Sequence, residues 1–114
     1  MAFQITITAV AESQLRSLPA RDQRVLEAAI PARLTQQPAT PTRAIKRLRP
    51  NPFAEFELRI GDLRVLYNVV GDEVTLLVIG RKVGNKLIVE GEDFHGHRGD
   101  PAEPTGGGPA GDTE

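Results

Sequence analysis

Glu57-Leu58-Arg59-Ile60-Gly61-Asp62-Leu63-Arg64-Val65-Leu66-Tyr67 decides the fold. Two alternating apolar runs flank a Gly-Asp pair, the pattern of a two-residue β-hairpin, most simply with a type II′ turn. With Gly61 and Asp62 as the loop, Ile60 pairs with Leu63, Arg59 with Arg64, Leu58 with Val65 and Phe56 with Tyr67. Successive side chains of a strand point to opposite faces. Phe56, Leu58, Ile60, Leu63, Val65, Tyr67 and Val69 therefore share one face, the core face. Arg59 and Arg64 stand directly opposite one another on the other. Like charges so placed destabilise a sheet. Their pairing makes sense where an anion such as phosphate occupies the site.

The next strand, Glu73–Ile79, follows Gly71-Asp72 and extends the meander. An unbroken register pairs Asn68 with Thr75, Leu66 with Leu77 and Arg64 with Ile79. Arg81 then projects beside Arg59 and Arg64, next to an apolar floor of Leu66, Leu77 and Ile79. The competing reading is a solvated face on which Arg59 is neutralised by Glu57 or Glu55.

Outward from the meander, Phe3, Ile5 and Ile7 alternate with polar residues and predict a strand over residues 3–8. A helical pattern follows from Ala9 to Ser17, with Val10, Leu15 and Leu18 on its buried side. A second helix begins near Ala20–Asp22 and carries Leu26, Ile30 and Leu34 at four-residue spacing. Pro31 removes a hydrogen bond and clashes with the preceding turn at about 3 kcal/mol, so a kink or break is expected there. Pro38 and Pro41 mark a loop. Arg43–Arg49 reads as a short basic strand in which Arg43, Lys46, Arg47 and Arg49 would extend the cationic patch, with Ile45 and Leu48 competing for the core. Residues 85–89 add a short edge strand or strap. The resulting class is α+β: two antiparallel helices on one face of a small, mainly antiparallel twisted sheet. This domain spans residues 1–95. From Gly96 onward glycine, proline and acidic residues dominate, and residues 96–114 are expected to be a disordered tail.

Charge divides the same way. The chain has a formal net charge of −1, yet residues 1–89 hold 13 Lys+Arg against 8 Asp+Glu, and residues 90–114 hold 1 against 7. A basic body suggests a polyanionic partner. No cysteine is present, which excludes disulfides, thiolate metal sites and cysteine nucleophiles. No apolar run is long enough for a transmembrane helix, and no signal-peptide pattern opens the chain, so a cytoplasmic location is expected. His95 and His97 are the two histidines, and without a third ligand they make a poor metal site; no metal or other cofactor is expected.

The element order, with Ala44-Ile45-Lys46-Arg47-Leu48, the Glu57–Tyr67 hairpin and Leu76-Leu77-Val78-Ile79-Gly80-Arg81, resembles the RelE/ParE toxins over roughly residues 2–82. The resemblance implies the toxin of a type II toxin–antitoxin module, held in a hetero-oligomer by its antitoxin. RelE-like members are metal-independent endoribonucleases that cut mRNA on the ribosome and so inhibit translation. ParE-like members poison DNA gyrase without being nucleases. A third outcome is a catalytically degenerate, antitoxin-binding protein. Carried over by position, Lys46, Arg59, Arg64 and Arg81 would be catalytic, with Arg43, Arg47, Arg49 and Lys82 binding RNA phosphates. Leu15, Leu26 and Leu34 would line the antitoxin groove. The C-terminal tyrosine common in RelE-like members is absent, and the only tyrosine, Tyr67, faces the core, so the general base has no clear owner.

Overall fold

The computed structural model describes residues 2–94, so the expectations for His95, His97 and the tail lie outside the described residues. Among these residues the order is β1 (Gln4–Ile7), α1 (Ala9–Arg16), α2 (Ala20–Leu34), β2 (Ile45–Arg47), β3 (Phe56–Ile60), β4 (Leu63–Val70), β5 (Glu73–Val83), β6 (Lys86–Val89) and β7 (Glu92–Asp93). The strands form one sheet, β2-β3-β4-β5-β6-β7, antiparallel except where β1 joins β5 in parallel.

Turn chemistry sets the meander. Gly61, Gly71 and Gly84 have φ of +59°, +60° and +62°, whereas the residue after each does not have a positive φ. This is the type II′ pattern, which only glycine enters cheaply at its first position. The β6–β7 hairpin differs: Glu90 and Gly91 both have positive φ, as in a type I′ turn. That last strand was not expected from the sequence, since two acidic residues carry no strand signal.

The Thr8 hydroxyl caps α1 by accepting from the Ala11 N–H at 3.1 Å, as N-cap residues do. Helix α2 runs through Pro31 without ending there. Pro31 and Glu27 are both exposed, so the carbonyl deprived of its partner lies on the solvent side, where water can bond to it. Leu26 and Leu34 are fully buried, and with Leu15 and Ile30 they pack on Leu58, Val65, Tyr67, Val74, Leu76 and Ile79. The helices thus cover one sheet face, as the fold class requires.

The expected pairing holds for β3 with β4 over its whole length. On the next pair it holds for Asn68 with Thr75, and then a bulge intervenes: Tyr67 pairs with Leu76, but Leu66 pairs with Val78 and Arg64 with Gly80. Leu77 is the extra residue. A one-residue insertion reverses which face every later side chain occupies. Ile79 therefore joins the helix-side core. Val78 takes its place on the far face, in a second cluster with Ala54, Leu66, Leu87 and Val89.

One edge of β5 is shared. β1 pairs with Glu73–Leu76 and β6 with Arg81–Val83, leaving a gap between them. The buried Gln14 of α1 fills it, its Oε1 accepting from the Ile79 N–H at 2.9 Å. A Gln14→Leu variant keeps the volume but strands that amide, and the urea midpoint should fall by the equivalent of about 1–3 kcal/mol.

Candidate anion-binding face

Strand alternation sorts the cations. Arg59 and Arg64 are directly opposed on the face away from the helices, as the hairpin requires. Lys46 stands on the same face, opposite Glu57. Lys82, two residues beyond Gly80, joins them from β5. The sequence-derived candidates Lys46, Arg59, Arg64 and Lys82 thus share one face of the sheet.

A carboxylate sits among them. Glu57, with its side chain only 3% exposed, accepts from Arg59 Nε at 3.2 Å, and its other oxygen lies 4.0 Å from Arg64 Nε. The reading in which Arg59 pairs with its own strand's glutamate is therefore realised beside the opposed-arginine reading. Arg64 is the more enclosed cation, 12% exposed against 38% for Arg59. Its Nη1 donates to the carbonyls of Gly61 and Leu63 at 2.8 and 2.9 Å, while its Nε is buried without a hydrogen bond. The turn carbonyls and Glu57 thus fix the position of this guanidinium.

Gly80 occupies the place opposite Arg64, and a Cβ there would meet the Ile88 carbonyl oxygen at 2.5 Å. Only glycine lets β6 approach this closely.

Arg81 is a correction. The Leu77 bulge turns it to the helix side, where its Nη1 meets both oxygens of Asp62 at 2.9 Å and its Nη2 bonds to Asp22 of α2. Hydrogen bonds to Asp62 and Asp22 raise its pKa further. Neutralised by two carboxylates, Arg81 ties α2 to the β3–β4 turn and does not join Arg59 and Arg64. Arg47 is also turned away: it lies 5.2 Å over the Phe56 ring on the helix side, because Ile45 and Arg47 share that face and Lys46 and Leu48 the other. Arg43 and Arg49 are exposed outside the strands.

Leu15, Leu26 and Leu34 form no exposed groove. They are 7%, 0% and 0% exposed and belong to the core, so the apolar stripe serves packing. Val10, Val25 and Val83 are the exposed large apolar groups on the helices and at the end of β5.

Tyr67 is fully buried, stacked 5.5 Å from Phe56, and donates to the Pro38 carbonyl at 2.6 Å. Burial pushes its pKa well above the usual tyrosine value, so it stays protonated at neutral pH and is no base. Among the described residues no group of three His, Cys, Asp or Glu side chains is arranged to hold a metal ion, and no helix is long and apolar enough to cross a membrane.

No family model matches the chain, and no curated protein matches it. Among solved structures, the chain is similar to one from the crystal structure of the toxin–antitoxin complex RelBE2 of Mycobacterium tuberculosis. The TM-score is 0.61 at 24% identity, covering 72% of this chain and 100% of that one. The likeness is one of fold, the α+β architecture of two helices on a mainly antiparallel sheet.

Tyr67→Phe should lower stability by about 1–3 kcal/mol, because the Pro38 carbonyl loses its buried donor.

Proposed function

We propose that this protein is the toxin component of a toxin–antitoxin module and acts as a metal-independent, ribosome-dependent mRNA endoribonuclease that inhibits translation. The observation that carries the reading is the directly opposed Arg59–Arg64 pair, anchored by turn carbonyls and flanked by Lys46 and Lys82 on the sheet face free of helices. The shared fold with a chain of the RelBE2 toxin–antitoxin complex supports it and suggests an antitoxin partner. In this reading Arg64 and Arg59 stabilise charge developing on the scissile phosphate, Lys46 contacts or protonates at that phosphate, and Lys82 and the exposed Arg43 and Arg49 hold the flanking backbone. Cytoplasmic action follows from the ribosomal target.

A second reading has specific support. Arg81 is neutralised by Asp22 and Asp62, so one of the cations that the resemblance assigns to RelE-like chemistry is withdrawn from it. A non-enzymatic poison of DNA gyrase, or a degenerate chain that only binds its antitoxin, fits that withdrawal.

Induction of the chain followed by mapping of mRNA ends separates these. The ribonuclease reading predicts new 5′ ends within translated codons and a loss of about 100-fold or more in cleavage by purified Arg64→Ala on translating ribosomes. Intact mRNA with DNA-damage signalling would favour the gyrase reading, and intact mRNA without growth arrest the degenerate one.

A further inference from the structure

We propose that Phe53 is a stacking platform for an unpaired base of single-stranded RNA, set on the rim of the cationic face. The inference rests on the nucleic-acid reading above and adds a base subsite to its phosphate contacts.

Phe53 is the most exposed aromatic ring among the described residues, at 43%. Phe56 and Tyr67 are in the helix-side core, Phe3 packs against it, and Phe94 packs on the second cluster. The exposure is built. Asn51 Oδ1 accepts from the N–H groups of Phe53 and Ala54 at 2.8 and 3.1 Å, and its Nδ2 donates to the carbonyls of Arg49 and Ala54 at 2.8 and 2.9 Å. Pro50 and Pro52 restrict φ on either side of Asn51, and Ala54 is anchored in the second cluster at 5% exposure. Phe94 supports the ring from one side, edge to face, with centroids 5.3 Å apart. With the loop backbone fixed by the four hydrogen bonds of the Asn51 side chain and Phe94 against the ring, Phe53 loses little freedom when a ligand stacks on it.

The surroundings select the ligand. Phe94 packs against the cluster of Leu66 and Val78, on the sheet face that also carries Lys46, Arg59 and Arg64. The Leu48 N–H, two residues beyond Lys46, bonds to the Glu55 carbonyl at 2.8 Å and ties β2 to the loop that bears Phe53. Arg49 is exposed on that loop. Cations that track a phosphate backbone beside an aromatic that accepts a base are the two components of single-strand recognition. A duplex would hide its bases from the ring, which is why an unpaired base is named.

The chain contains no tryptophan, so Phe53→Trp places a single indole reporter at the platform. Full-length protein is titrated with a fluorescein-labelled ten-nucleotide adenine RNA and with an abasic oligomer of the same length. The expected result is quenching of the indole by the adenine oligomer along the anisotropy binding curve, binding without quenching by the abasic one, and about tenfold weaker adenine binding for Phe53→Ala in an otherwise wild-type chain. If RNA binds, Arg64→Ala abolishes it, and yet the indole is not quenched and Phe53→Ala binds normally, the platform is wrong and the phosphate reading stands. If wild-type protein binds neither oligomer, both fail. Indole emission that shifts with protein concentration alone would overturn the proposal by assigning the ring to a contact between copies.

Discussion

The pairing of β4 with β5 slips by one residue between Leu66 and Tyr67, and the chemistry of both sheet faces depends on that slip. Without it, Ile79 would stand on the outer face and Arg81 beside Arg64. With it, Ile79 enters the core, Gln14 reaches its amide, and Arg81 meets Asp22 and Asp62. A bulge reverses side-chain direction for everything downstream, so one inserted leucine moves a cation from the candidate site to a tie between helix and turn.

The face that remains is more enclosed than a bare ribbon of arginines. Glu57 is buried beneath Arg59 and Arg64. A buried carboxylate is tolerable only when its charge is met, and two guanidiniums on one face meet it. The like-charge repulsion across the hairpin is thereby offset within the protein itself. An incoming phosphate would share guanidiniums already engaged with Glu57, and the exposed Arg59 is the more approachable of the two. The ending beyond Lys82 adds to the enclosure: β6 contributes Leu87 and Val89 to the second cluster, and Phe94 reaches Phe53 from the opposite end of the strand order.

Legibility in the sequence followed the clarity of the alternation. The Gly61-Asp62 hairpin could be read residue by residue because both its strands alternate cleanly and its loop length is set by glycine. β5 could not, because Leu76-Leu77-Val78-Ile79 is an unbroken apolar run in which no polar residue marks the face. Such a run fits either register, and the sheet has apolar clusters on both sides to receive it. The helix stripe Leu15, Leu26 and Leu34 was legible as apolar, but periodicity alone does not separate a core face from a docking face. Phe53 is not legible as a site because a lone phenylalanine after Pro50-Asn51-Pro52 reads as loop; only the Asn51 hydrogen bonds show that the loop backbone is held.

The sorting of the arginines is tested most directly by double-mutant cycles on unfolding free energy, pairing Arg81→Ala with Asp22→Ala and, separately, with Glu57→Gln. Residues in contact couple by about 0.5–3 kcal/mol and distant ones add. The bulged register predicts coupling in that range between Arg81 and Asp22 and additivity between Arg81 and Glu57. Coupling to Glu57 with none to Asp22 would put Arg81 on the outer face and contradict the account.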